Sequence, residues 1–144
     1  METRNPLSEF EAQLLVQTAR RMWPHVRGRS SRTELWAPLF AVLWSTQRRL
    51  SEVLSIRRQD VGFTSLAYRR GHTHELAEAS VPAWLGFELV QLAERRGLGP
   101  AALLFPLSKQ AVDKALKRIA AAAGVSGSIR VELFRRSRTG LTVG

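Results

Sequence analysis

The stretch "LWSTQRRLSEVLSIRRQD", Leu43 to Asp60, places Arg48, Arg49, Arg57 and Arg58 directly behind the most apolar part of the chain. A guanidinium is a planar fork of donors that matches two oxygens of a phosphate and stabilises charge developing on it. Arginines on a solvated helix end need no explanation, but a pair directly behind a helix that reads as fully buried raises the question of what they reach. A second pair, Arg135 and Arg136, stands late in the chain, with Lys114, Lys117 and Arg118 before it. The single tyrosine, Tyr68, is followed by Arg69, Arg70 and His72. "HTHE" brings His72, His74 and Glu75 close together, yet His25 is the only other histidine, so a polar turn outweighs a metal site. No G-x-x-x-x-G-K-[ST], G-x-G-x-x-G or G-x-S-x-G motif is present, which leaves nucleotide hydrolysis and serine-hydrolase chemistry without support. No metal and no cofactor is expected.

The charge balance agrees with an anionic partner. Twenty-two Lys and Arg stand against twelve Asp and Glu, a formal charge of +10 on 144 residues. Such an excess points to nucleic acid ahead of membrane. The plain alternative is a basic helical module that contacts an acidic protein. Without cysteine, disulfides and thiolate metal sites are excluded. The N-terminal "METRNPLSEFEAQ" lacks the apolar core of a signal peptide, and the longest apolar run, "LWAPLFAVLW", is too short to span a bilayer. No membrane partner is expected, and the cytoplasm is the expected location.

These residues need elements to position them. Ser8 and Glu11 form a capping-box pattern ahead of a helix over about residues 8–23, with Phe10, Leu14, Leu15 and Met22 as its stripe. Pro24 ends it, and a basic loop covers about residues 24–32. Thr33 can cap "ELWAPLFAVLWS", apolar nearly all round and therefore the central helix, with Pro38 tolerated early in it. Ser51 can cap a short helix, "EVLSIRR". "FTSLAYRR" and "ELAEASVP" read as two strands around a turn at Gly71. Leu85, Leu89 and Leu92 mark a helix ended by Gly97; Ser108 and Gly124 bracket another, with Val112, Ala115, Leu116 and Ile119 inward and Lys114, Lys117 and Arg118 outward. A last short helix spans about residues 130–138. Trp23, Trp36, Trp44 and Trp84 are expected to fill or border the core. The expected architecture is one domain over residues 1–144, mainly α with a small antiparallel β-hairpin insert.

"STQRRLSEVLSIRRQDV" resembles the first signature of the tyrosine recombinases, or phage integrases, T-G-x-R-x-S-E-x-x-x-L followed by a basic or aromatic pair and an acid. Thr46, Arg49, Ser51, Glu52 and Asp60 match it; Gln47 stands where the family has a turn glycine. The hairpin before Val81 and Pro82, the segment "LFPLSKQAVDKALKRIAAAAGV" and "VELFRRS", in the place of H-x-L-R-H/R, continue the likeness in order. The resemblance implies a recombinase-like catalytic fold in which Arg49 and Arg135 meet at a DNA phosphate, with Arg48 and Arg136 as one-position alternatives. It also implies what this sequence lacks. Glu132 replaces the family's first histidine, the hairpin lysine has only Arg69, Arg70 or His72 to stand for it, and no tyrosine follows Arg135. The terminal "RTGLTVG" has no amphipathic helix of the kind the family swaps between protomers. No catalytic residue is therefore expected. DNA contact is assigned to Arg48, Arg49, Arg69, Arg70, His72, Lys114, Lys117, Arg118, Arg135 and Arg136. The expected function is double-stranded DNA binding without cleavage, as an accessory or regulatory factor of a mobile element. A protein partner or a homo-oligomer on DNA is left open, and a truncated recombinase fragment is the alternative.

Overall fold

Ser8 starts the first helix, α1 (Glu9–Met22), by reciprocal bonds: its hydroxyl accepts from the Glu11 N–H and the Glu11 carboxylate accepts from the Ser8 N–H, both at 3.1 Å. This is the capping box read from the sequence. A computed structural model describes residues 5–24 and 31–135. Most of the expected basic loop, Arg136 and the end of the last expected helix, and "RTGLTVG" lie outside the described residues.

The buried stripe of α1 is Ala12, Leu15, Val16, Thr18 and Ala19. Phe10 is a correction, because it is 74% exposed. It lies two residues before Ala12, about 200° around the helix, so it points away from the face that packs. Thr33 does not cap the central helix either. Arg32–Leu35 forms a 3-10 turn, and α2 (Trp36–Thr46) begins after it. Pro38 then falls in the first turn of α2, where a missing N–H removes no intrahelical bond. Every residue from Trp36 to Leu43 is buried, as the all-round apolar pattern predicts.

After α2, a short helix α3 (Leu50–Val53) starts one residue after Arg49. The expected cap Ser51 lies inside it; Arg49 is the cap residue, and Glu52 Oε1 accepts from its N–H at 3.2 Å. The Glu three residues on decides the start, by the same reach-back that operates in α1. Strands β1 (Ser65–Arg69) and β2 (Leu76–Ser80) pair antiparallel, Ser65 opposite Ser80 and Arg69 opposite Leu76. Leu66 and Tyr68, two apart and so on one face, are buried. The turn closes by Arg70 N–H to the Glu75 carbonyl and His74 N–H to the Arg70 carbonyl, each at 2.9 Å. Its left-handed residue is His74, at φ 58°, and Gly71 is not in that region.

Helix α4 (Ala83–Arg95) buries Leu85, Leu89 and Leu92 completely, and the chain leaves it through Gly97 at φ +62°. Gly86 is required on its inner face: a Cβ there would stand 2.0 Å from the Phe63 carbonyl oxygen, so only glycine lets the approach to the hairpin lie against α4. Trp84 departs from expectation at 58% exposure, whereas Trp36 is buried and Trp23 and Trp44 border the core. Helix α5 (Lys109–Ala123) runs from a Ser108 cap, whose hydroxyl accepts from Ala111 N–H at 3.1 Å, to Gly124 at φ +74°. It buries Val112, Ala115, Leu116 and Ile119 and leaves Lys114, Lys117 and Arg118 exposed. A 3-10 turn, Val131–Phe134, closes the described chain. Phe134 stacks on Phe40 of α2, ring centroids 5.3 Å apart, and the Leu7 N–H donates to the Leu133 carbonyl at 2.9 Å. The segment before Arg135 is thereby fastened to the central helix.

Candidate nucleic-acid interface

α2 ends because Gln47 turns into the left-handed region, φ 58° and ψ 26°, while its N–H still donates to the Leu43 carbonyl. That turn throws Arg48 and Arg49 off the buried helix into solvent, where both are exposed. A left-handed non-glycine residue carries about 1–3 kcal/mol of strain. The Gln47 side chain offsets it, since Nε2 donates to the Trp44 carbonyl at 2.7 Å and to the Phe134 carbonyl at 3.0 Å, the latter 87 positions away. Both partners are carbonyls, which settles the orientation of the amide. In return the Gln47 carbonyl accepts from Arg135 Nε–H at 3.2 Å.

The consequence is a cleft of ≈ 330 Å³ lined by Arg48, Arg49, Lys109, Glu132 and Arg135, with Leu50, Leu54 and Val131 supplying apolar wall. Four cations face one carboxylate. With Nε engaged, the four N–H groups of the two terminal nitrogens of Arg135 have no partner among the described residues and can meet a ligand. Apolar wall beside the guanidinium groups lowers the local dielectric and strengthens any charge-assisted bond made there. Arg48 is partly engaged: its Nε donates to the Thr46 carbonyl at 3.3 Å and its guanidinium carbon lies 5.6 Å from the Tyr68 ring centroid.

Of the residues assigned to DNA from the sequence, the structure gathers Arg48, Arg49 and Arg135 in this one cleft. It does not bring Arg69 there. Arg69 bridges to Asp60 Oδ2 at 3.0 Å and donates to the Ser55 carbonyl at 3.0 Å, while its N–H donates to Ser55 Oγ at 2.9 Å. Asp60, whose side chain is only 7% exposed, also accepts from the Arg57 N–H. Arg69 therefore anchors the hairpin to the end of α3, a use of charge that strand spacing does not reveal. Arg70 and His72 are exposed at the hairpin tip, Lys114 and Lys117 lie on the outer face of α5, and Arg118 stacks on Trp23 at 5.3 Å. Arg136 is outside the described residues. Among the described residues no group of three or more His, Asp or Glu could hold a metal ion. No described helix is long and apolar enough to cross a membrane.

Sequence reasoning missed two members of the site. Lys109 is the first residue of α5, and the available signal was its place directly after the Ser108 cap, which aims a helix start at the cleft. Gln47 looked like a defect in the motif, and its role depends on a partner that no local pattern names.

No family model matches the sequence, and no curated protein matches it either. Solved structures do match in fold. The XerH site-specific recombinase bound to difH substrate, in a pre-cleavage complex, superposes with TM-score 0.74 at 17% identity over 98% of this chain and 43% of that one. The XerA recombinase gives 0.71 at 17% identity over 94% and 49%, and a lambda integrase tetramer bound to a Holliday junction gives 0.61 at 18% over 93% and 41%. The chain has a tyrosine-recombinase-like fold, mainly α with one antiparallel hairpin. It spans less than half the length of each of these chains.

Proposed function

We propose that this protein binds double-stranded DNA through its phosphates and holds it without cutting it, as an accessory or regulatory factor of a mobile element. Arg49 and Arg135 grip one phosphate, and Arg48 and Lys109 add charge beside it. The observation that carries the reading is that two arginines 86 positions apart in the chain line a single cation-rich cleft. Two of the fold neighbours are bound to difH substrate or to a Holliday junction, which supports DNA as the anion. With the exposed lysines of α5 contributing, about five to eight phosphates would be neutralised. Log K for duplex DNA should then fall with log salt at a slope of roughly −4 to −7. A filter-binding titration across salt concentrations measures it, and a slope near zero would sink the proposal.

Strand cleavage by a tyrosine requires a phenol able to reach the phosphorus in line and a group to protonate the leaving oxygen. Tyr68, the single tyrosine of the sequence, is 3% exposed within the hairpin, with Arg48 over its ring. Arginine holds its proton too tightly to serve as the donor, but Lys109 lines the same cleft, so the expectation of no cleavage rests on the nucleophile. A suicide duplex nicked beside the cleavage point should give no covalent adduct with this chain on denaturing electrophoresis. A Tyr68-dependent adduct would show that the site had been rebuilt around the hairpin.

A further inference from the structure

The position that breaks the recombinase signature does the most to shape the cleft. Gln47 and the 134–135 segment are joined twice. The Gln47 amide donates to the carbonyl just before Arg135, and the Gln47 carbonyl accepts from Arg135 Nε–H, between residues 88 positions apart. The first bond, which needs the glutamine side chain, fixes the backbone from which Arg135 departs; the second, to a backbone carbonyl that any residue at 47 supplies, fixes the plane of the guanidinium only while that backbone is held. A glycine at this position would adopt the same φ without strain, but it would have no amide to hold Phe134.

We infer that Gln47 is the positioning residue of the cleft, clamping Arg135 so that its terminal N–H groups are presented to the anion that Arg49 also faces. Gln47 need not touch the ligand. Its effect runs through Arg135, which an unclamped side chain would have to freeze at the moment of binding. The inference rests on the phosphate reading of the cleft, and the test separates the two.

The affinity of a fluorescein-labelled duplex is measured for the full chain, Gln47→Gly, Arg135→Ala and the double variant. The Arg135 Nε–H resonance is followed without DNA. Gln47→Gly relieves left-handed strain as it removes two side-chain bonds, so its Tm should stay near that of the parent. Its DNA affinity should fall about two- to tenfold, the worth of one net hydrogen bond. The Nε–H of Arg135 should exchange faster. In the Arg135→Ala background the same substitution should change affinity by less than about twofold, because coupled residues do not add. A role in general stability would instead lower affinity equally in both backgrounds, and that result, or an unchanged Nε–H resonance, overturns the inference. Full DNA affinity in Arg135→Ala would remove the phosphate reading, while the resonance still decides the clamp. Should Gln47→Gly unfold, Gln47→Asn goes through the same cycle, since Asn tolerates the left-handed region but is one methylene too short to reach Phe134.

Discussion

Arg49→Ala and Arg135→Ala should each weaken duplex DNA binding about tenfold to a hundredfold. A hydrogen-bonded contact to a charged group is worth about 1.5–3 kcal/mol, and about 1.4 kcal/mol is one decade in affinity. The two arginines line one cleft, so the double variant should lose less than the sum of the single losses. Each change should also make the salt slope shallower by about one, as expected when one phosphate contact disappears. Arg69→Ala is the contrasting variant. Its guanidinium is spent on Asp60 and Ser55, so the change should lower stability and leave the salt slope where it was. Equal losses of DNA affinity from all three variants would mean that net charge alone drives binding and that the cleft has no special part.

Phe134→Ala should strongly destabilise the fold. The ring is 0% exposed and stacks on Phe40 at 5.3 Å with an interplanar angle of 15°. Truncating a buried phenylalanine leaves a cavity and costs about 3–5 kcal/mol. Urea denaturation should show the midpoint falling with little change in slope. Phe63→Ala, at a ring that is 56% exposed, should have a much smaller effect. Phe134 also seats the carbonyl that Gln47 holds, so DNA affinity should drop in Phe134→Ala even where the protein remains folded. A variant of parental stability would show that the last turn does not belong to the core.

What the residues determine alone is whatever depends on neighbours within a turn or two. The Ser8 and Ser108 starts, the Gly97 and Gly124 exits, the Leu85–Leu89–Leu92 stripe and the two strands around residues 70–75 all follow from caps and periods that act locally. The pairing of Arg49 with Arg135 was legible only through a family signature, because nothing in the spacing of either residue refers to the other. Tertiary structure decided the rest. Phe10 satisfies helical spacing as well as Leu15 does, and only the placement of α2 and α5 leaves it in solvent. Arg69 and Arg70 are adjacent and alike in sequence, yet Arg69, the last residue of β1, reaches the buried carboxylate of Asp60, whereas Arg70 already belongs to the turn and is exposed. Lys109 enters the cleft because α5 begins at its rim. Gln47 is the clearest case, since a motif written along the chain records a lost glycine there. The compensation is an amide reaching a carbonyl 87 positions away, a contact that exists only after the core has brought Phe134 onto Phe40.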